Sequence, residues 1–322
     1  MATFDFSGLS PDLILDAIET TTIRVESGLL ALNSYENRVY QFIGDENKRY
    51  VVKFYRPQRW NQEQLLEEHS FALELQSHDV PLVAPISFDG KTLLEYQGFN
   101  FAIYPSVGGR EFEVDNLDQL EWMGRFIGRI HQVSASKSFE HRPQFTIESH
   151  LKEPQQILKQ SELIPAHLHL PFFTILDQVV ELAQGLYAPT SVIRLHGDCH
   201  PGNILWRDGP SFVDLDDCRT GPAIQDLWMM LSGDRAQCIL QLDVMLEAYQ
   251  EFCDFDKSEL KLIEPLRAMR IVHYMAWLCR RWQDPAFPQA FPWFAEDKYW
   301  ENQILALKEQ YAALQESPLT LF

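Results

Sequence analysis

His196-Gly197-Asp198-Cys199-His200-Pro201-Gly202-Asn203-Ile204-Leu205-Trp206-Arg207-Asp208-Gly209-Pro210-Ser211-Phe212-Val213-Asp214 is a strand-forming island in a helical half of the chain. Ile204-Leu205-Trp206 and Ser211-Phe212-Val213 flank Asp208-Gly209, whose turn chemistry predicts a hairpin. A four-residue loop centred there pairs Trp206 with Ser211, Ile204 with Val213 and Asn203 with Asp214. That register puts an amide oxygen beside a carboxylate at the hairpin's open end. Asp198, five residues before Asn203, lies in a loop able to curl over the same point.

Outward from the island, the two halves of the chain differ in pattern. Before it, Val39–Ile43 and Arg49–Tyr55 are β-branched and aromatic runs around the polar Gly44-Asp45-Glu46-Asn47, which predicts a second hairpin, and Pro57 ends it. Leu65, Leu66, Phe71, Ala72 and Leu75 recur at helical spacing over Gln62–Gln76. Short strands are expected at Leu93–Tyr96 and Phe99–Tyr104, so about the first hundred residues read as strand-rich around one helix. Pro105-Ser106-Val107-Gly108-Gly109 breaks the pattern and is the expected hinge. Helices are then expected over Leu117–Val133, about Pro165–Leu186, Ile224–Phe252 with a break near Ser232-Gly233, Lys257–Trp282 and Asp297–Gln315, with Pro285–Trp293 as irregular cover. The arrangement is an α+β, bilobed chain: a small β-rich N-lobe over 1–104, a hinge at 105–109 and a large helical C-lobe over 110–322.

The chain has 322 residues, with 27 Lys and Arg against 46 Asp and Glu, a formal charge of −19. Without a basic run it lacks the electrostatic footprint of a nucleic-acid binder, and an anionic membrane surface would repel it; neutral or basic partners are favoured. Apolar runs are short, and Asp5, Asp12 and Asp16 stand where a signal peptide requires Lys or Arg, so a cytoplasmic protein is expected. The five cysteines are dispersed and form no C-x-x-C, which predicts reduced thiols rather than disulfides or zinc. A monomer is expected.

Asn203, Asp214 and Asp198 at one hairpin mouth are hard oxygen donors, few and close, which suits Mg²⁺ arriving on a substrate's phosphates. Ordinary turn-flanking polar residues are the alternative for Asn203 and Asp214, and the additional Asp198 and His196-Gly197 weigh against it. His196-Gly197-Asp198-x-x-x-x-Asn203 followed by Val213-Asp214 resembles the catalytic segment of the aminoglycoside phosphotransferase and choline kinase superfamily, the protein-kinase-like small kinases. Asn33–Tyr40, Val51–Pro57, Pro105–Arg110 and Leu195–Pro222 extend the likeness nearly end to end, toward that superfamily's bacterial protein kinases.

The resemblance implies a bilobed protein-kinase-like fold and ATP and Mg²⁺ as cofactors. By it, Asp198 orients an attacking hydroxyl and takes its proton, while Asn203 and Asp214 hold Mg²⁺, with Asp214 in the place of the kinase D-F-G aspartate. Val51 would lie over adenine and Lys53 on the α/β-phosphates. Adenine would meet the backbone near Tyr104–Ser106, with Leu205 or Val213 beneath it. Helical spacing gives Lys53 its carboxylate: Glu68 shares a face with Phe71, Ala72 and Leu75, and Glu67, the alternative, points elsewhere. No G-x-G-x-x-G precedes the first hairpin; Leu32–Arg38 occupies that place, and Ser34 and Asn33 could cradle phosphate. His196 supports the loop through a backbone hydrogen bond rather than carrying protons. Asp226 resembles the residue that braces the catalytic loop, or else caps a helix. Asp216 and Asp217 leave the site strongly negative without metal. Cys199 reads as a buried, inert thiol. No A-P-E-like ending follows Asp214, which argues against activation-loop control.

The resemblance further implies Ser/Thr hydroxyls of proteins as acceptors, including the protein's own, in a bacterial stress response. One rival keeps the chemistry with an amino alcohol or aminoglycoside as acceptor; another is a nucleotide-binding scaffold without turnover.

Overall fold

A computed structural model describes residues 5–321. Its N-terminal lobe begins with a helix that the strand-rich reading passed over, α1 (Pro11–Glu19), although its signals are local: Ser10 caps the Leu13 amide and Pro11 opens the first turn. Strands β1 (Leu30–Ala31), β2 (Arg38–Gly44) and β3 (Lys48–Phe54) follow, then helix α2 (Gln62–Ser77) and strands β4 (Leu94–Tyr96) and β5 (Phe99–Pro105). They form one antiparallel sheet in the order β1-β2-β3-β5-β4. Alternation along β3 divides its duties. Val52 and Phe54 join Phe42, Phe101 and Ile103 in a core closed by Ile14 and Ile18 of α1, while Val51 and Lys53 face the cleft. A capping box between Asn61 and Gln64 starts α2.

Strand β6 (Arg110–Glu111) lies just past the expected hinge, and helix α3 (Leu117–Ser134) opens the helical lobe. Helix α4 (Glu153–Gln160) had not been anticipated; it continues a π-helical turn over Glu148–Lys152. After α5 (His169–Leu186) the island supplies β7 (Ile193–Leu195), β8 (Ile204–Trp206), β9 (Pro210–Phe212) and β10 (Arg219–Gly221). The long helix expected from Ile224 is two, α6 (Gln225–Trp228) and α7 (Arg235–Tyr249), because Gly233 takes φ 87° and Asp234 starts a new capping box. Then come α8 (Ile263–Arg281), α9 (Ala286–Ala290) and α10 (Asp297–Ala313). The expected irregular cover over 285–293 thus holds a short helix. Helices α3 and α7 touch closely: a Cβ on Gly124 would lie 2.2 Å from the Met245 carbonyl, and one on Gly128 2.5 Å from that of Tyr249. Among the described residues no helix is long and apolar enough to cross a membrane.

The register of the island hairpin differs by one from the expected one. Ile204 faces Phe212, Leu205 faces Ser211 and Trp206 faces Pro210. Asp208 adopts φ 57° and Gly209 φ 143°, and the Arg207 amide bonds the Gly209 carbonyl, so a three-residue loop closes the turn early. Asn203 therefore sits opposite Val213, whose amide donates to its carbonyl at 3.1 Å. Asp214 falls just beyond the ladder, in the left-handed region at φ 62°.

Candidate active site

The island's first loop is held from below. Gly197 has φ 86°, and a Cβ there would sit 2.2 Å from the Asp217 carbonyl, so glycine alone fits. Both carboxylate oxygens of buried Asp226 accept backbone amides, from His196 at 2.7 Å and Gly197 at 2.9 Å. Asp226 is thus a brace and not a helix cap. His131 contacts the same carboxylate at 3.2 Å, and its other nitrogen lies 2.9 Å from the Tyr249 hydroxyl. His196 Nε2 donates to the Val213 carbonyl at 3.0 Å, tying the loop to the hairpin.

With its backbone fixed, Asp198 presents its carboxylate to the cleft. Arg270 Nη1 donates to Oδ1 at 2.5 Å and His200 Nε2 lies 3.4 Å from Oδ2. Burial opposes ionisation of Asp198, but the His200 and Arg270 side chains outweigh it and hold the carboxyl well below its ordinary range. Asn203 Nδ2 donates to the Asp198 carbonyl at 3.0 Å. That leaves Asn203 Oδ1 without a protein partner among the described residues, as is Asp214 Oδ2. Two unpartnered hard oxygens from residues lining one cavity suit a divalent cation carried by phosphate, though no group of three His, Cys, Asp or Glu among the described residues could hold a metal alone.

Lys53 lies buried at the centre. Its Nζ is 2.8 Å from Asp214 Oδ1, 3.3 Å from Asp216 Oδ1 and 3.8 Å from Glu68 Oε1. Burial works against the ammonium, yet the carboxylates of Asp214, Asp216 and Glu68 raise its pKa well above the ordinary value. Glu68 is pushed up to about 7, chiefly by burial and opposed by Lys53. Glu67 turns the other way and accepts the backbone amides of Glu140, His141 and Arg142 at 2.6, 2.9 and 2.6 Å.

One expectation is corrected. Asp216 and Asp217 do not leave the site strongly negative, because Arg59 and Arg142 from two other segments and Arg219 from their own surround them. Arg59 bonds both carboxylates, Arg219 Nη2 reaches Asp217 at 2.5 Å, and Arg142 Nη2 donates to the Asp216 carbonyl at 2.5 Å. Burial raises the pKa of Asp217, but Arg59 and Arg219 more than reverse that. No local signal marks Arg59 and Arg142, since their partners lie more than seventy positions away.

Ser34, Val51, Lys53, Glu68, Tyr104, Asp198, Asn203, Leu205 and Asp214 all line one cavity of about 860 Å³ between the lobes. Val39, Val83, Pro85 and Val213 complete an apolar slot beside Tyr104 and Pro105. The Tyr104 side chain turns inward, its hydroxyl 2.8 Å from that of Tyr55, which itself lies 2.6 Å from His69 Nε2. Burial also pushes the Cys199 thiol well up, in keeping with an inert group, and all five cysteines are free.

The opposite wall was not anticipated. Arg270, His273, Tyr274 and Trp277 of α8 recur at helical spacing and line the cavity facing the 33–36 loop. That loop is clasped to the C-terminal lobe. Glu36 accepts from Trp277 Nε1 at 2.6 Å and from Arg281 at 2.6 and 3.1 Å. Arg38 grips both oxygens of Asp284 at 3.0 and 2.9 Å, joined by Arg56 at 2.8 Å. Tyr35 packs edge-on against Phe291, with ring centroids 4.7 Å apart.

Comparison with known proteins bears on what such a cleft does. The chain is 54% identical over 319 residues to "Stress response kinase A" of Escherichia coli (strain K12), covering 99% of this chain and 97% of the relative. It is 53% identical over 322 residues to "Serine/threonine protein kinase RdoA" of Salmonella typhimurium, with the same coverage. Among solved structures, the microcompartment-associated aminopropanol kinase superposes with a TM-score of 0.72 at 16% identity, covering 97% of this chain and 100% of that one. Amicoumacin kinase hAmiN, in complex with AMP-PNP, Ca²⁺ and Ami, gives 0.70 at 19%, covering 91% and 90%. At such identities these two speak for the fold alone. The signature of the phosphotransferase enzyme family matches residues 29–263, and with the relatives above it makes this chain a member of that family.

Proposed function

We propose that the protein is an ATP- and Mg²⁺-dependent kinase that transfers the γ-phosphoryl group to Ser/Thr hydroxyls of proteins, its own included, within a stress response. The observation that carries the reading is Lys53 at 2.8 Å from Asp214 and 3.8 Å from Glu68, in one cavity with Asp198 and Asn203. A protein acceptor is supported by the name of one relative, the serine/threonine protein kinase, more than half identical over nearly the whole chain.

In this reading the protein positions and neutralises more than it bonds. Adenine occupies the apolar slot between Val51 and Leu205, against the backbone of Tyr104 to Ser106. Lys53, oriented by Glu68, neutralises the α/β-phosphates, with Ser34 above them. Asn203 and Asp214 would hold Mg²⁺, which when bound offsets phosphate charge. Asp198 orients the acceptor hydroxyl and takes its proton as the new O–P bond forms and the bond to ADP breaks. The segment 105–109 is proposed as the hinge between an N-lobe over 1–104 and a C-lobe over 110–322. We place the protein in the cytoplasm as a monomer.

The test is Asp198→Asn with γ-labelled ATP. Transfer should fall about 10²–10⁴-fold while ATP affinity stays within a few-fold. Unchanged autophosphorylation and ATP consumption would establish a scaffold instead. Label on a panel of amino alcohols, with none on any protein, would sink the protein acceptor.

A further inference from the structure

Resting on that reading, we propose that the α8 wall of the cleft selects its acceptor by charge: Arg270 binds an anionic group, carboxylate or phosphate, beside the hydroxyl being phosphorylated. The argument starts from what faces Asp198. Arg270, His273, Tyr274 and Trp277 occupy positions i, i+3, i+4 and i+7 of one helix and so share a face, and all four line the cavity. Arg270 reaches Asp198 through Nη1 alone, and among the described residues its Nε and Nη2 have no protein partner. Its side chain is 44% exposed, so a free fork points toward whatever docks on Asp198. A guanidinium in that state is built for a planar oxyanion.

The other side chains of this wall bring no negative charge, and His273, its pKa held down by burial, is a neutral ring there. His200 flanks Asp198 on its other oxygen, and His273 faces the cleft with neither ring nitrogen hydrogen-bonded among the described residues. Tyr274 and Trp277 add an aromatic surface, their rings 5.7 Å apart. Two carboxylates on this side are already engaged, Glu36 by Trp277, Arg281 and Arg56, and Asp217 by Arg59 and Arg219. A cationic amino alcohol or aminoglycoside would thus meet a guanidinium, and of the carboxylates lining the cleft Asp198 must receive the hydroxyl and Asp214, with an oxygen free of the protein, is the proposed metal ligand. The chain's net charge of −19 does not contradict this, because the field of exposed charges is screened beyond about 8–10 Å, whereas Arg270 acts by contact.

The experiment compares serine peptides that differ only in the neighbours of the serine, Glu, Gln or Arg, on the wild type and on Arg270→Gln, Arg270→Glu and Arg270→Lys. Wild type should favour the Glu peptide over its Gln isostere by about tenfold or more in kcat/KM, mostly through KM. Arg270→Gln should bring the two within about twofold, Arg270→Glu should turn the preference toward the Arg peptide, and Arg270→Lys should restore part of it. An equal rate on Glu and Gln peptides, or a preference that survives Arg270→Gln, overturns the proposal. So does an equal loss on every acceptor together with weaker ATP binding, which would place Arg270 on the phosphates. If no peptide is labelled but small alcohols are, the protein acceptor fails separately. Matched hydroxy acids and amino alcohols then decide: an acid preference abolished in Arg270→Gln upholds the role of Arg270, and an amine preference ends it.

Discussion

Glu67 and Glu68 are neighbours in the chain with opposite duties. Glu67 caps three consecutive backbone amides, whereas Glu68 is buried beside Lys53 with its Oε2 unpaired by any hydrogen bond. Glu67→Gln should therefore cost about 1–3 kcal/mol of stability in denaturant unfolding and leave turnover per folded molecule nearly intact. Glu68→Gln should do the reverse, lowering kcat/KM for ATP about 10²-fold by loosening Lys53. Equal effects of the two on stability and turnover would refute this division. Helical spacing made the choice between them legible, because it fixes which side chain faces the sheet. The guanidinium groups of Arg59 and Arg142 were illegible, since nothing adjacent to them in sequence signals a distant partner, whereas Arg219 bonds Asp217 only two residues before it.

At the level of elements, legibility followed the locality of the signal. The β2–β3 hairpin, α2 and the 196–203 loop each declare themselves within a few residues. The island hairpin gave its strands but not its register, because Asp208 in the left-handed region closes the turn one residue early. Only the three-dimensional packing shows why α3 carries glycine where it crosses α7. Gly128 approaches the Tyr249 carbonyl, and Tyr249 in turn supports His131 and Asp226 beneath the 196–198 loop. Gly128→Ala should overpack this crossing by about 1–3 kcal/mol, read as a lower thermal midpoint, and should reduce turnover as well by shifting the brace. A lower midpoint with turnover untouched would show that α7 yields without moving His131.

The molecule as a whole has a pH response set by its buried histidines. Burial holds His69 down to about 3 and His273 to about 4, and pushes His150 well down. Unfolding releases them to an ordinary value near 6.5, so below that pH the unfolded chain takes protons the folded chain refuses, and stability falls. Between pH 7 and 5 His69 and His273 each contribute a loss of about 2 kcal/mol, and His150 acts in the same direction. Glu68, pushed up to about 7, has the opposite sign and returns about 2 kcal/mol over the same window. The histidines outnumber it, so denaturant midpoints should drop from pH 7 to 5. A flat or rising profile would show that these rings are solvated in the folded state.

The clasp between the 33–38 loop and the C-terminal lobe is largely ionic, Arg38 and Arg56 on Asp284, and Arg281 and Trp277 on Glu36, with Tyr35 against Phe291 as an apolar contact. Jaws joined this way should open at a rate that depends on charge as well as on that ring contact. Asp284→Asn should hasten release of a fluorescent ADP analogue in stopped-flow, and added salt should speed the wild type more than the variant. The same acidic residue that steadies the loop would then act as a timer on product departure.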